Sequence, residues 1–136
     1  TGRNIEANGE FVVNLVNEDL SEQMNLCATS LPYGTSEIDH AGLDVTPSVQ
    51  VAAPRITRSP ISLECKLETI LQIGNDRVII VGKILHYHID DRYYDAEKQY
   101  VLSEAIGLVA RMHGRSWYAR TSDLYEIARP DAPAKA

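Results

Sequence analysis

The chain has 136 residues, 44% of them apolar, which is the size and composition of one domain with a single core. Its 19 acidic and 13 basic residues give a formal charge of −6, which disfavours a nucleic acid held by general electrostatic attraction. No apolar run is long enough to span a bilayer, so the sequence predicts a soluble protein without a membrane partner.

The first part of the chain predicts helix, strand and helix in that order. Thr1 can cap a short helix that turns Ile5 inward and ends at Gly9. Residues 10–16 alternate between a fully apolar side and a mixed side, which indicates a strand. Residues 17–29 predict a packed surface helix capped by Asn17. Its apolar side chains recur at helical spacing: Leu20, Met24, Cys27 and Leu31.

Residues 30–60 predict an irregular segment, because they hold four of the six prolines and two glycines. One short helix is expected within it, from Ser36 to Ala41, ended by Gly42. A loop of this length usually carries a function.

Two long strands are expected next, residues 61–73 and 77–89, joined by a turn at 74–76. The first strand alternates an apolar side with a polar side, which is typical of an antiparallel strand with one face in water. Gly82, in the middle of the second strand, predicts a bulge or bend that lets the sheet curl into a barrel. The polar side of the first strand consists of Ser62, Glu64, Lys66 and Glu68.

The remaining residues predict a weak helix near Ser103 to Gly107 and strand-like pieces that end with Leu124 to Ala128. The Pro- and Ala-rich tail, residues 130–136, is expected to be disordered.

Cys27 and Cys65 form no C-x-x-C pair and no disulfide framework. They therefore predict free thiols that fill the core, and a reducing, cytoplasmic location.

His86 and His88 lie two apart on a strand, so their side chains share a face and raise the question of a metal site. The glycine and glutamate spacing of a cupin-type site is missing around them, and neither His40 nor His113 is a clear third ligand. The favoured interpretation is a solvated polar face at the end of the strand. A metal-binding β-barrel remains the less favoured alternative.

No residue lies in the setting of a protein nucleophile, and no glycine-rich phosphate loop follows a strand. The segment 110–120 is the richest in functional groups. Arginines beside aromatic rings suit a planar, anionic, aromatic ligand, because guanidinium groups pair with phosphate and rings stack. The alternative is a solvated basic edge in which Trp117 and Tyr118 anchor the core or an interface. The functional groups are Arg111, His113, Arg115, Trp117, Tyr118 and Arg120.

Several motifs, in their order and spacing, resemble the flavin reductase-like family of FMN-binding split barrels, the group that includes nitrilotriacetate monooxygenase component B and flavoredoxin. The late motif departs from the usual R-L-G-G, since His113 stands where that pattern has a glycine and narrows the space there. The matching residues are Thr1, Asn4 and Ile5; Glu10 to Leu15; Met24 and Asn25; Pro32, Gly34 and Glu37; Ala41 to Leu43; Ser59 to Cys65; and Arg111, Gly114, Tyr118 and Arg120.

The resemblance implies a mainly β fold with peripheral helices: an antiparallel Greek-key split β-barrel over residues 1–129. Members of the family begin with strands that precede the position of Thr1, so the barrel is expected to be N-terminally incomplete. FMN, or FAD in its place, would bind without a covalent bond in a groove near a homodimer interface.

The resemblance also implies an NAD(P)H-dependent flavin reductase that serves an electron acceptor such as a monooxygenase. The flavin would do the redox chemistry, so no catalytic side chain is required. By matching position, Thr1 and Asn4 would hold the FMN phosphate, and Thr29 and Ser30 would approach the ring or its side chain. Three late residues would border the flavin: Arg111, Trp117 and Tyr118. His113 would contact the substrate.

Three other functions stay open at this point. The chain can be a flavoprotein that carries electrons or only binds FMN, without efficient oxidation of a pyridine nucleotide. It can be the metal-binding barrel described above. It can also be a truncated paralogue that dimerises and binds nothing.

Overall fold

The computed structural model describes residues 1–75 and 77–130, and in this part the chain is mainly β, as predicted. Short helices lie between the strands and at their ends. The helices are α1 (Gly2–Asn8), α2 (Ser21–Leu26), α3 (Glu37–His40) and α4 (Ser103–Ile106). The strands are β1 (Glu10–Asn14), β2 (Val45–Thr46), β3 (Arg55–Ile56), β4 (Ile61–Ile73), β5 (Arg77–Ile89), β6 (Tyr94–Asp95), β7 (Tyr100–Val101), β8 (Val109–Arg111) and β9 (Tyr118–Arg120).

An antiparallel sheet in the order β1-β4-β5 forms the framework. β4 and β5 pair along their whole length, from Ile61 opposite Ile89 to Ile73 opposite Arg77, and both have the bounds that their alternation predicted. β1 pairs with the first half of β4, where Phe11 lies opposite Cys65. Among the described residues, β5 pairs with β4 alone, so its other edge is open.

Gly82 lies at an irregularity in the hairpin, which confirms the predicted bulge or bend. The register of β4 against β5 shifts between Leu67 and Thr69, and Leu67 is paired with Gly82. The ring of Phe11 packs directly over this glycine: a Cβ atom there would lie 2.4 Å from Phe11 Cζ and 3.3 Å from Cys65 Cβ. Close packing against Phe11 therefore favours glycine at this position.

The N-terminal elements follow the prediction closely. α1 buries Ile5 and ends at Gly9, which adopts the left-handed conformation with φ of 70°. β1 ends at Asn14 and not at Val16, because the chain then turns toward the start of β8, where the Val109 N–H donates to the Val16 carbonyl oxygen.

The other helices are short. The helix predicted over 17–29 is divided into a 3₁₀ turn, Glu18–Leu20, and α2. α3 begins as predicted with Ser36, whose Oγ accepts a hydrogen bond from the Asp39 N–H at 3.1 Å. α4 and the left-handed Gly107 confirm the helix predicted near 103–107. In the described part of the chain, no helix has the length and hydrophobicity needed to cross a membrane.

The C-terminal region is less regular than predicted. The last paired strand, β9, ends at Arg120, and residues 124–128, expected to form the last strand-like piece, are irregular. The prediction of a disordered tail over 130–136 falls on residues outside the described part of the chain, except for Pro130, which is irregular and exposed.

Burial on the β4–β5 hairpin departs in part from what alternation predicted, although Cys65 is buried and Lys66 and Glu68 are exposed as expected. The polar side chains Ser62 and Glu64, expected in water, are only 1% and 0% exposed. Glu64 accepts hydrogen bonds from a loop over residues 48–53, and Ser62 Oγ donates to Asn14 Oδ1 at 2.8 Å. A local pattern does not reveal such distant partners. Much apolar surface is exposed instead at the far end of the hairpin, next to its turn: Leu71, Ile73, Val78, Ile79 and Val81. Leu85 and Tyr87, toward the other end of β5, are exposed as well.

Candidate functional site

A groove of about 880 Å³ lies between the start of α1, the loop before α3 and the far end of the β4–β5 hairpin. Its volume is within the range of small-molecule sites, about 300–1,000 Å³. The residues that line it are 1–4 and Glu6; 31–37; and Ile70, Gln72, Asn75 and Val78. The two predicted phosphate-binding residues, Thr1 and Asn4, are therefore brought together in one concave surface.

The α1 side of the groove offers hydrogen-bond donors. The first backbone bond of the helix runs from the Ile5 N–H to the Thr1 carbonyl oxygen at 3.0 Å, so the preceding N–H groups have no partner within the described residues. The Thr1 hydroxyl makes no capping bond. Arg3 adds a positive charge to the lining, while Glu6 and Glu37 add carboxylates. An anion in the groove would thus meet one guanidinium and the N–H groups of α1, and also two carboxylates.

The opposite wall is a turn in the loop before α3. The Thr35 N–H donates to the Pro32 carbonyl oxygen at 3.1 Å, and Gly34 adopts φ of 89°, which favours glycine. This turn leaves the Tyr33 ring 89% exposed at the groove. The predicted residues Thr29 and Ser30 precede the turn and are exposed, but neither lines the groove.

The sequence prediction missed Arg3 and Tyr33 as groove residues. Arg3 lies between two residues that were singled out, and Tyr33 lies inside the P-x-G motif that was noted for its proline and glycine. The sequence held a signal for both residues. Arg3 lies in the first turn of a predicted helix and Tyr33 lies beside Gly34 in a predicted turn, and both elements line the groove.

The late functional residues form a second cluster around the turn between β8 and β9. The Arg111 guanidinium donates to three acceptors at 3.1 Å: the Tyr118 hydroxyl and the carbonyl oxygens of Gly114 and Arg115. The Tyr118 hydroxyl in turn contacts Met24 Sδ at 3.9 Å. Arg111 and Tyr118 are thus brought together as predicted, and they bond to each other.

His113 and Trp117 also meet at this turn. Their ring centroids are 6.4 Å apart with an interplanar angle of 28°, an offset stack, and Trp117 is 65% exposed. Trp117 therefore does not anchor the core, which was one of the sequence alternatives, whereas Tyr118 is half-buried.

The late cluster lies apart from the groove. Tyr118 lines a smaller hollow of about 350 Å³ together with Glu18 and Arg120. Arg120 Nε donates to Glu18 Oε2 at 2.7 Å, and this hydrogen bond lowers the pKa of Glu18. The larger groove has no lining residue from the β8–β9 hairpin. Within one chain, the predicted cofactor residues therefore form an α1 group and a β8–β9 group, and Thr29 and Ser30 belong to neither.

Glu64 is the most strongly bonded titratable group. One carboxylate oxygen accepts from the Val49 N–H at 2.8 Å and lies 2.5 Å from His88 Nε2. The other accepts from the N–H groups of Gln50 at 2.6 Å and Val51 at 3.2 Å. Burial raises the pKa of Glu64, but the bonds from His88 and the loop outweigh burial and lower the pKa to about 2.

The expectation of a solvated face for both histidines is wrong for His88, because its ring is bonded to a buried carboxylate. His86 packs edge-on against His88, with centroids 4.7 Å apart. In residues 1–75 and 77–130, no three His, Cys, Asp or Glu side chains are grouped so that they could hold a metal ion.

Both cysteines are free thiols. Burial raises the pKa of Cys65, and burial together with the Glu37 carboxylate raises the pKa of Cys27. A raised pKa keeps a thiol protonated at neutral pH, which makes it a poor nucleophile.

Comparison with known proteins places these features in a family context. The sequence profile described as "Flavin reductase like domain" matches residues 1–103. The structure of 2-nitrobenzoate 2-nitroreductase NbaA from Pseudomonas fluorescens is similar with a TM-score of 0.87 and 34% identity, over 94% of this chain and 63% of the other. Nitrilotriacetate monooxygenase component B from Bacillus cereus gives a TM-score of 0.85 and 27% identity, over 93% and 63%.

A third structure, from Shewanella frigidimarina and described as a flavin reductase with a split barrel domain, has 22% identity and a TM-score of 0.82, over 95% of this chain and 65% of the other. It shares the fold, and the predicted split-barrel class is confirmed. The chain spans between 63% and 65% of the length of these three proteins.

Proposed function

We propose that this chain, which belongs to the flavin reductase-like domain family, binds FMN without a covalent bond and uses NAD(P)H to reduce flavin. The observation that carries the proposal is the 880 Å³ groove, whose size and donor-rich α1 wall suit a phosphorylated planar ligand. FAD is the alternative flavin. The reduced flavin would then serve an electron acceptor, for which a monooxygenase component is the first candidate.

The residues of the groove have distinct tasks in this proposal. Thr1, Asn4 and Arg3 hold the phosphate through a hydroxyl, an amide and a guanidinium. The Tyr33 ring and the turn that carries it border the flavin, and Thr29 and Ser30 approach it from the preceding residues. When bound, the flavin supplies the transfer of electrons. The chain positions it and limits its contact with water.

The deciding experiment is the visible absorbance spectrum of the purified protein with FMN, followed by anaerobic titration with NADH and NADPH. The proposal expects flavin bands that bleach with one of the two nucleotides. A protein-bound flavin that neither nucleotide bleaches would identify an electron-transfer or flavin-storing protein. A spectrum of free FMN that the protein does not perturb would contradict flavin binding altogether.

Charge reversal in the groove should separate recognition of the phosphate from recognition of the ring. We expect Arg3→Glu to raise the Kd for FMN about tenfold, the effect of losing roughly one charge-assisted hydrogen bond, and to leave the Kd for riboflavin unchanged. Flavin fluorescence quenching measures both. Arg129→Glu, at an exposed arginine outside the groove, is the matched control. Equal loss of FMN and riboflavin binding would contradict this role of Arg3.

We also propose a homodimer, supported by the apolar side chains exposed at the far end of the β4–β5 hairpin. Patches of this kind mark interaction sites, and a twofold dimer is the commonest assembly. Ile79→Lys should convert a wild-type mass of two chains into a mass of one in light scattering at micromolar concentration, whereas Glu68→Lys should not. A wild-type protein with the mass of one chain would exclude the dimer.

A reducing, cytoplasmic setting completes the proposal. It is supported by the two free thiols, Cys27 and Cys65, since an oxidising compartment favours disulfides in secreted domains.

A further inference from the structure

The turn between β8 and β9 carries an excess of positive charge in an acidic chain. Residues 110–120 include three arginines and no carboxylate, while the chain as a whole has a formal charge of −6. Arg120 is paired with Glu18. Arg111 donates only to neutral oxygens, so its charge is uncompensated. The exposed Arg115 side chain has no hydrogen bond within the described residues.

An exposed aromatic surface lies beside this charge. Trp117 is 65% exposed and is stacked at an offset on His113. An exposed ring of this size contributes nothing to the core, and it offers a face on which another planar ring can stack.

The turn that carries these side chains is held in place before any ligand arrives. The Arg111 guanidinium ties the carbonyl oxygens of Gly114 and Arg115 to the Tyr118 hydroxyl. Gly114 has φ of 64°, a conformation that favours glycine, so the turn is also fixed by its backbone. A preorganised turn reduces the entropy cost of binding.

We infer that the β8–β9 turn is a second binding site, for the adenine nucleotide portion of the pyridine nucleotide, and the choice of that molecule rests on the reductase function proposed above. Adenine stacks on Trp117, beside His113, and Arg115 pairs with the phosphate. The required chemistry is a planar aromatic ring joined to a phosphate. A flavin nucleotide shares that chemistry, so the experiment includes both molecules.

Trp117 reports directly on its own site, because it is the only tryptophan of the chain. Titration with AMP should quench the protein fluorescence to saturation. Adenosine should quench with a lower affinity, and ribose 5-phosphate should not quench, since it has no ring to stack. Absence of saturable quenching by AMP would overturn the inference, and so would tighter quenching by FMN that AMP does not displace.

Variants test the two contacts separately. Arg115→Ala should weaken AMP binding about fivefold to tenfold while adenosine binding stays the same, because only the phosphate contact is lost. Arg129→Ala is the matched control and should change neither. In turnover, Trp117→Ala should raise the KM for the nucleotide about tenfold, with the Kd for FMN unchanged. Equal effects of Arg115→Ala on AMP and adenosine would contradict the assigned phosphate contact.

The two proposals fail in different ways. The AMP titration needs no flavin, so a protein that binds FMN but shows no AMP quenching loses only this second site. A protein whose Trp117 responds to AMP but which binds no flavin keeps the nucleotide site and loses the reductase function.

Discussion

Replacement of Glu64 by Gln is expected to lower the free energy of unfolding by about 3 kcal/mol at neutral pH. The carboxylate is fully buried and accepts bonds from three backbone N–H groups and His88. A glutamine presents an NH₂ group toward these donors, so at least one buried N–H loses its partner. Urea denaturation followed by circular dichroism measures the loss.

Glu68→Gln is the matched control, because Glu68 lies on the same strand and is exposed. It should change the free energy of unfolding by less than about 0.5 kcal/mol, as is usual for surface substitutions. Equal losses in the two variants would show that the bonds to the 48–53 loop contribute little to stability.

The pH dependence gives a second test of the same group. The pKa of Glu64 is lowered in the folded protein, from an ordinary 4.5 to about 2, so the folded state favours the charged form. Its contribution is therefore complete above about pH 4.5 and is lost as the pH falls from there toward about 2. The wild-type protein should lose more stability than Glu64→Gln across this interval. If the free energies of unfolding of the two proteins fell in parallel with pH, the lowered pKa could not be assigned to Glu64.

Substitution of Gly82 by Ala is expected to lower the free energy of unfolding by about 2 kcal/mol, within the usual cost of overpacking. The new Cβ atom would lie 2.4 Å from Phe11 Cζ and 2.9 Å from Phe11 Cε1, and Cys65 Cβ closes the other side. The Phe11 ring must move, which disturbs the pairing of β1 with β4. Urea denaturation again provides the measurement.

Replacement of Phe11 by the smaller Leu should restore part of the stability lost in Gly82→Ala. In the double variant Phe11→Leu with Gly82→Ala, the sum of the two single losses should exceed the observed loss, since one change removes the clash of the other. Gly2→Ala is the control, because its Cβ atom would meet Val78 Cγ2 at an ordinary 3.6 Å. Additive losses in the double variant would place the cost of Gly82→Ala elsewhere.

Local signals in the sequence predicted most of the framework. The long alternation of β4 and β5 and the turn between them gave their bounds, and the caps at Ser36 and Gly9 gave the ends of α3 and α1. These features depend on neighbouring residues only, so periodicity and capping preferences were sufficient.

Which side of a strand faces water was not a local property. Ser62 and Glu64 alternate as a solvated face would, yet Glu64 is bonded to a loop more than ten residues away along the chain and Ser62 is bonded to Asn14 of β1. His88 is bonded beneath the same loop. A period identifies the two faces of a strand, whereas the segment that covers a face is decided by the tertiary fold.

The candidate site was predictable in part. Thr1 and Asn4 were chosen by resemblance, and they line one groove because a short helix begins there. Arg111 and Tyr118 were chosen for their chemistry as ligand groups, but the structure bonds them to each other across a turn. Functional groups crowded in one segment do not reveal which of them are already occupied by partners in the chain.

The loop over the hairpin is held in a way that leaves its own sequence free to vary. Glu64 and Glu10 bind it through main-chain N–H groups, from Val49 to Ala52, and only Val51 among these four residues is buried. Substitutions at the exposed positions 49, 50 and 52 keep the main-chain N–H groups that bind Glu64 and Glu10, except substitutions to proline. Proline has no N–H to donate. The two prolines of this region, Pro47 and Pro54, both stand just outside the anchored stretch.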